Sequence, residues 1–211
     1  MIRMHKSARL ALLTLVAATG ATQLAGCAPL LIGGAVMGGA MMVIDRRTSG
    51  TQVEDQAIEF KSLGRVRELG LINGHVNITS YNRMVLITGE VSREADRVAV
   101  EQVVSRVDNV RSVVNDLALM EPSTVGSRTN DSVLSGKVKA SFVDAKDVQA
   151  QAAKVITERG VVYLMGRVTE REAGRYAEVA RAVPGVTKVV RVFEVISEGE
   201  LAQIQTTTPK Q

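Results

Sequence analysis

The chain has 211 residues, of which 45% are hydrophobic and only 3% aromatic, and its formal net charge is +4. Residues 1–26 hold three of the 26 basic residues and no acidic residue, so the rest of the chain has 23 basic and 22 acidic residues. This near-neutral balance argues against a nucleic-acid partner. The chain has two histidines, of which His5 lies in residues 1–26, and one cysteine, which lies in the lipidation motif described below. This leaves no Cys/His cluster for a metal and no cysteine for nucleophilic chemistry. The composition favours a non-enzymatic protein with no cofactor, no metal and no small-molecule substrate.

The N-terminus has the pattern of a lipoprotein signal peptide. Basic residues in the first nine positions precede the apolar run Leu10–Thr19 and then Leu24-Ala25-Gly26-Cys27. The run is far shorter than the ~20 residues of a membrane-spanning helix. The tetrad resembles the lipobox of bacterial lipoproteins, which implies cleavage after residue 26 and a diacylglyceryl, palmitate-bearing Cys27. Because Ala28 rather than Asp follows the cysteine, we expect a lipid anchor on the periplasmic face of the outer membrane.

Residues 27–50 form the predicted membrane-proximal segment. Ala28–Ile44 is apolar and rich in glycine, and Gly34 and Gly38 have the G-x-x-x-G spacing that brings helices together in membranes. At 17 residues the run is marginal for spanning. We expect it to lie against the acyl-chain boundary or on a partner, with a helical span as the alternative.

The remainder of the chain is an internal repeat. Val85–Val91 matches Val162–Val168, and Val107–Val110 matches Val183–Val186, always about 77 residues apart. Each repeat is predicted to contain a helix, two strands joined by a turn, a second helix and a last strand, with both helices on one sheet face and a parallel crossover. The first repeat gives Val53–Leu69, His75–Ser80, a strand ending at Gly89, a helix capped by Ser92 and Arg111–Met120; the second gives Asp131–Val143, Ala152–Thr157, a strand ending at Gly166, a helix capped by Thr169 and Lys188–Ile196.

The segments around the repeats are predicted from composition. Residues 121–130 contain Pro, Gly and Ser/Thr and are interpreted as a linker, and residues 199–211 as a disordered tail. His75, the only histidine outside the signal peptide, is interpreted as a strand-edge residue. Gly89 and Gly166 are interpreted as structural glycines, which permit a left-handed backbone or a close approach.

Four stretches of the repeat region resemble the BON-domain family: Gly50–Asp55, Asn77–Tyr81, Asn130-Asp131 and Val162–Ala173. Two such units behind a lipobox are similar to the dual-BON lipoproteins of the Gram-negative outer membrane. The resemblance implies an α+β fold with tandem BON domains over residues 51–120 and 131–198, each an αββαβ sandwich of two helices on a three-stranded mixed sheet. It also implies a non-enzymatic protein that binds anionic phospholipid through its second BON domain, supports envelope integrity and is enriched at the division site.

The charges independently favour the second repeat as the one that faces lipid. Residues 51–120 have a net charge of −2, from eight basic and ten acidic residues, whereas residues 131–198 have +2, from eleven and nine. An anionic surface attracts basic residues by about 1 kcal/mol each. On a helical wheel, one side of the first helix of this repeat combines valines, small residues and lysines, as interfacial helices do. These candidate phospholipid-binding residues are Val133, Gly136, Lys137, Lys139, Ala140 and Val143.

Two alternatives to the lipid interpretation stay open at this stage. Val133 and Val143 could instead cover the linker or the first repeat. The protein could also be a scaffold that docks on an outer-membrane assembly machinery, with lipid contact incidental. A further alternative, an envelope hydrolase, is disfavoured because the sequence after residue 27 has no cysteine and one histidine, which leaves no His/Cys chemistry. In a dual-BON lipoprotein of this kind, Trp matches Val133, Arg matches Lys139 and Leu matches Val143, so this chain keeps apolarity and charge but lacks an interfacial ring.

Overall fold

The computed structural model describes residues 45–207. The predictions for the signal peptide, Cys27 and Ala28–Ile44 therefore lie outside the described residues. Both repeats belong to one compact unit, Val43–Gln211. None of the described helices combines the length and the apolar content needed to cross a membrane.

The first repeat forms a mixed sheet with two helices. Strand β2 pairs antiparallel with β1 and parallel with both β3 and β4. The predicted crossover from β2 through a helix to a parallel strand is confirmed. The elements are α1 (Ser49–Glu68), β1 (His75–Tyr81), β2 (Met84–Val91), α2 (Glu94–Ser105), β3 (Ser112–Asn115) and β4 (Ala118–Leu119).

The second repeat has the same order. Strand β6 pairs antiparallel with β5 and parallel with β7. A short 3-10 turn precedes β5, and a helix follows β7. The elements are α3 (Val125–Asp144), the turn Ala150–Ala152, β5 (Lys154–Glu158), β6 (Val161–Val168), α4 (Glu170–Arg181), β7 (Lys188–Val195) and α5 (Glu198–Thr207).

Alternate residues of each central strand build two different cores. In β6, Val162 and Leu164 pack with the buried residues of α3 and α4, whereas Tyr163 and Met165 point to the other face, because successive strand residues face opposite ways. In β2, Val85 and Ile87 likewise pack against α1 and α2, and Leu86 faces away. Both helices of a repeat therefore cover one sheet face, as predicted.

The two sheets pack face to face through their helix-free sides. The shared cluster is apolar and almost fully buried, and it comprises Tyr81, Leu86, Tyr163, Met165 and Val192. The Tyr163 hydroxyl donates a 2.7 Å hydrogen bond to Asp116 of the first repeat. Burial, helped by the nearby Asp116 carboxylate, raises the pKa of Tyr163. Residues 45–207 thus form four layers, helices–sheet–sheet–helices, with the helices on the outside.

Three predicted boundaries were wrong in the first repeat. Helix α1 begins at Ser49 instead of Val53, because Thr48 caps it by accepting a hydrogen bond from the Thr51 N–H. Ser92 is not an N-cap: its hydroxyl donates to the Asn73 carbonyl, and α2 begins without a side-chain cap. The predicted strand Arg111–Met120 is divided into β3 and β4, where the Asn115 side chain accepts the Leu117 N–H.

Two segments predicted to lack structure are partly helical. The linker prediction for residues 121–130 was wrong from Val125 onward, because Thr124 caps α3 and extends it by two turns. The tail prediction for residues 199–211 was wrong over α5, whose Leu201 is buried. In both cases a Ser/Thr-rich composition suggested coil, whereas a capping side chain or one buried leucine stabilises a helix.

Candidate functional site

Helix α3 has one buried and one exposed face. Four residues at helical spacing point into the core: Asp131, Leu134, Val138 and Phe142. All six candidate lipid-binding residues are exposed on the opposite side. Val133 is 54% and Val143 60% exposed, so more than half of each side chain is left uncovered by the linker and the first repeat. The helical-wheel prediction of which residues are exposed on α3 is therefore confirmed. The role of this face in lipid binding stays a prediction.

The lysines of this face carry unpaired charges. Lys137 and Lys139 make no ion pair within the described residues. Five of the six arginines of the second repeat behave differently, because Arg159, Arg167 and three others are held by carboxylates. Lys146, Arg181 and Lys188 also make no ion pair within the described residues, so α3 holds two of the five unpaired basic side chains of the second repeat.

A buried carboxylate in the second turn of α3 ties the helix to the β5–β6 turn. Asp131 accepts 2.8 Å hydrogen bonds from the backbone N–H groups of Arg159 and Gly160 in the β5–β6 turn. Asp55 of α1 does the same for Asn82 and Arg83 in the β1–β2 turn. Sequence reasoning missed these aspartates, although their separation of 76 residues matches the repeat.

The C-terminal end of α3 is held by ring packing and by a turn. Phe142 meets Tyr176 of α4 edge to face, with ring centroids 5.1 Å apart. The Tyr176 hydroxyl donates to the Gln149 carbonyl, and burial raises the pKa of Tyr176 to about 12. A rigid scaffold therefore presents the exposed face.

The segment before α1 contacts both repeats, and we call Asp45–Thr48 the strap. Arg46 has a side chain only 1% exposed, and its guanidinium is 2.7 and 2.8 Å from the two carboxylate oxygens of Glu172. It also donates to Gln149 and to the Arg167 carbonyl. Burial would lower the pKa of Arg46 and raise that of Glu172, but their mutual hydrogen bonds reverse both shifts.

The neighbouring arginine ties the strap to the first repeat. Arg47 binds Asp45 and Asp55, each at 2.7 Å, and its guanidinium lies 4.2 Å from the centre of the Tyr81 ring. Burial opposes the ionised form of Asp55, but hydrogen bonds from Ser80, Arg83 and Arg47 lower its pKa. In the sequence, Arg46 and Arg47 only follow the apolar run Ala28–Ile44, and no local pattern indicates their partners.

A cavity of about 340 Å³ opens between the strap and α3. Lys139 and Val143, both candidate lipid-binding residues, form one wall, and Arg47 and Tyr81 form another. The strap therefore brings the end of the membrane-proximal segment beside the candidate lipid-binding face.

A second charged cluster lies where the repeats meet. Glu90 is fully buried, binds Arg159 at 2.9 Å and lies 3.3 Å from His75 Nδ1. Burial would raise the pKa of Glu90, but Arg159 and the Ser123 N–H lower it. His75, Glu90 and Glu158 are the one group within residues 45–207 whose ligand atoms are close enough for a metal ion, within 4.8 Å. Because Arg159 already neutralises Glu90, the cluster is an ion-pair network, which the sequence could not show across two repeats.

Comparison with protein families then identifies the repeats. The BON domain profile matches residues 54–121 and 130–197, together more than half of the chain. The chain belongs to the BON-domain family. The first and second BON domains are the two repeats described above, and the predicted α+β fold is confirmed.

Two curated relatives extend the comparison. The chain is 36% identical over 176 residues to the outer membrane lipoprotein DolP of Haemophilus influenzae, covering 82% of this chain and 90% of the relative. It is 29% identical over 155 residues to a 21 kDa hemolysin of Actinobacillus pleuropneumoniae, covering 72% and 80%. The protein is therefore a DolP-like, lipid-anchored lipoprotein of the outer membrane. Lipidation at Cys27 itself stays a prediction.

A solved structure is also similar over a large share of its length. CdsD, a structural protein of the type III secretion system of Chlamydia trachomatis, is 12% identical, with a TM-score of 0.28. The match covers 70% of this chain and 98% of that chain.

The two repeated glycines of the BON domains lie against backbone. A Cβ atom on Gly89, whose φ is +114°, would be 2.0 Å from the His75 carbonyl oxygen, and one on Gly166 would be 2.4 Å from that of Ala152. Neither glycine is among the residues that line the two cavities containing Lys137 or Lys139. Their surroundings support the structural interpretation.

The first BON domain has its own exposed apolar helix face, which the sequence analysis did not identify. Val53 is 67% and Phe60 79% exposed on α1, and Ala57 and Gly64 share their side of the helix. A helical wheel of α1 would have revealed it, since the buried residues Ile58, Ser62 and Val66 lie on a different side of the helix.

Proposed function

We propose that the protein binds anionic phospholipid through the exposed face of α3 in its second BON domain. The observation that carries the proposal is the combination of Val133 and Val143, each more than half exposed, with the unpaired lysines Lys137 and Lys139. Shallow insertion of apolar side chains with flanking lysines is how interfacial helices bind membranes.

The two parts of the face make different contributions. Burying a valine side chain completely is worth about 1.5–3 kcal/mol, and each lysine near an anionic surface adds about 1 kcal/mol. Gly136 and Ala140 lie between the valines and add almost no bulk, so lipid headgroups can approach the helix closely. The face is small, which suits a protein that a lipid anchor already holds at the membrane.

Through this binding, the protein would contribute to envelope integrity and be enriched at the division site. The α3 face would hold the tandem BON domains against the inner leaflet of the outer membrane. No catalytic step is part of the proposal.

The second candidate function is that of an interaction scaffold for outer-membrane assembly machinery. The exposed Val53 and Phe60 of α1 favour it, because large exposed apolar side chains on one helix face often mark a protein contact. On this alternative the α3 face would contribute little to membrane binding.

Vesicle sedimentation of the whole mature chain with Cys27→Ser tests the proposal. We expect binding to anionic vesicles and not to zwitterionic ones, weakening as salt screens charge beyond about 8 Å. Val133→Asp should reduce binding about tenfold at every salt concentration because apolar insertion is lost. Lys139→Glu should reduce it mainly at low salt, and Val133→Trp should strengthen it.

Val53→Asp is the matched control, since it places the same charge on an equally exposed valine of α1. It should leave vesicle binding unchanged. Binding without preference for anionic vesicles, or equal loss in both aspartate variants, would refute the assignment. The scaffold function would then be the better explanation.

A further inference from the structure

We propose that the outer edge of strand β5 is a docking site for an extended peptide segment of a partner protein, which carries a basic side chain and adds to the sheet as a further strand. This inference goes beyond lipid binding, because main-chain hydrogen bonds to β5 hold the partner, and not the valines and lysines of α3. Peptides that add to a sheet edge gain affinity from such bonds and specificity from pockets for alternate side chains.

Strand β5 has one side without a neighbouring strand. It pairs with β6 and with no other strand of the described residues. Because a two-residue turn joins Glu158 to Val161, alternate residues counted back from Glu158 bond to β6, and Val155 and Thr157 turn their backbone N–H and C=O groups outward. Within residues 45–207 these outward groups form no backbone hydrogen bond. They are a template for pairing with another chain.

The equivalent edge of the first BON domain is closed by a side chain. Ser80 lies two residues before its hairpin turn, as Thr157 does in the second domain, and its N–H donates a 2.8 Å hydrogen bond to the Glu59 carboxylate of α1. The residue of α3 that corresponds to Glu59 is Ser135, whose shorter side chain donates to the Thr157 hydroxyl at 2.8 Å. The second domain therefore leaves open the strand edge that the first domain covers.

Two cavities follow this edge along its whole length. One, of about 370 Å³, is lined by residues 155–158, and the other, of about 340 Å³, by residues 153–155. Val155 lines both cavities, and residues of α3 form a wall of each. Both volumes lie within the range of small-ligand pockets, about 300–1,000 Å³. The space beside β5 therefore suits an extended segment of several residues.

A buried carboxylate at the turn end of the edge favours a basic side chain in the partner. Glu158 is 2% exposed and lines the larger cavity. Its carboxylate accepts a 2.8 Å hydrogen bond from the Asn77 amide but has no ion pair among the described residues, since the neighbouring Arg159 binds Glu90. A buried charge is costly unless it is paired, so a lysine or arginine of the partner would supply the missing cation.

The other charged groups of the larger cavity already have partners. Asp131 accepts the two backbone N–H groups of the β5–β6 turn. Arg128 donates to the Ser123 carbonyl at 2.7 Å, and His75 lies 3.3 Å from the Glu90 carboxylate. Glu158 is therefore the charge that a docked segment would neutralise.

Fluorescence polarisation with synthetic peptides tests the site on the mature chain with Cys27→Ser. The probe is an eight-residue peptide that alternates valine and threonine and carries one central lysine, and matched versions carry glutamine or glutamate there. We expect saturable binding of the lysine peptide, about tenfold weaker binding of the glutamine peptide and none of the glutamate peptide. Hydrogen exchange followed by NMR should show protection of the Val155 and Thr157 amides on binding, with no change at Ile156, which already bonds to β6.

Ser135→Glu gives α3 the side chain that closes the edge in the first domain, and it should weaken binding of the lysine peptide at least about tenfold. Ser132→Glu is the matched control, because it adds the same charge at an exposed position of the same lining that does not correspond to Glu59. It should not weaken binding. Glu158→Gln should remove the preference for lysine over glutamine and keep the amide protection.

Three results would overturn the proposal. They are absence of binding by the lysine peptide, binding without protection of Val155 and Thr157, and equal loss of binding in the Ser135→Glu and Ser132→Glu variants. Equal affinity for the lysine and glutamine peptides would overturn the assignment of a basic partner. If Ser135→Glu failed to fold, Glu158→Gln and the amide exchange of the unchanged protein would still decide.

Discussion

At the scale of single residues, the glycines show what one sequence can and cannot reveal. The repeat placed Gly89 and Gly166 at equivalent positions, which predicted a structural role. The cause was not visible in the sequence, because the carbonyl groups that approach them, those of His75 and Ala152, lie on the antiparallel neighbour strands or just before them. A side chain at either position would collide with backbone, which cannot move aside as a side-chain tip can.

We therefore predict that Gly166→Val acts through folding. It should destabilise the protein by about 1–3 kcal/mol or more, lower the Tm by several degrees and reduce cellular abundance. Gly174→Ala is the control, since a Cβ there meets nothing within 4 Å and alanine is the better helix former by up to about 1 kcal/mol. Thermal unfolding followed by circular dichroism measures both. If the Gly166→Val protein had normal stability but no function, the prediction would be wrong and Gly166 would have a role in binding.

At the scale of elements, periodicity predicted helices well and their ends poorly. The wheel of α3 separated its buried and exposed faces correctly, because a 3.6-residue period depends only on local sequence. The strap could not be predicted, because Arg46 and Glu172 lie 126 residues apart. Its role depends on the way the two BON domains pack, and no local pattern encodes that.

The strap supplies a prediction about stability. Arg46→Met and Glu172→Gln should each destabilise the protein by about 3–5 kcal/mol, because removing one partner leaves the other buried without compensation. The double variant should lose less than the sum of the two. Urea unfolding of the unchanged protein, the two single variants and the double variant measures this double-mutant cycle.

Arg175→Met is the matched control for the strap, because its partners Asp147 and Glu178 are exposed, and exposed pairs contribute little. Full additivity of the Arg46 and Glu172 changes would mean that the strap does not depend on this ion pair.

At the scale of the whole molecule, the sequence predicted two similar units but not their arrangement. Each domain has a second apolar sheet face, formed by residues such as Leu86 and Tyr163. In a strand whose residues face alternate sides of the sheet, the side away from the helices is easily mistaken for a face that contacts solvent. Because the sheets cover each other, an isolated domain would expose Tyr163 and Met165, and lipid binding is best tested in the complete chain.

The junction of the two domains predicts the dependence of stability on pH. The folded protein lowers the pKa of Glu90 and of Glu172 below their ordinary value of 4.5. Below about pH 4.5 the unfolded chain therefore binds more protons than the folded one, so stability falls as acid is added and is constant above that range. Urea unfolding between about pH 7 and pH 3 measures this change in the free energy of unfolding.

The Glu90→Gln variant should be less stable than the unchanged protein at neutral pH. Its free energy of unfolding should also fall less steeply as the pH is lowered. Stability that is already lost well above pH 5 in the unchanged protein would contradict the assignment of these carboxylates as the sensitive groups.

The central claim, that α3 of the second BON domain is the membrane-contacting element, is tested most directly by tryptophan fluorescence. The chain contains no tryptophan, so Val133→Trp and Phe60→Trp each place one reporter on an exposed helix face of one domain. In anionic vesicles that contain brominated lipid, we predict a blue-shifted, strongly quenched emission for Val133→Trp and an unchanged emission for Phe60→Trp. Quenching at position 60 without quenching at position 133 would contradict the account.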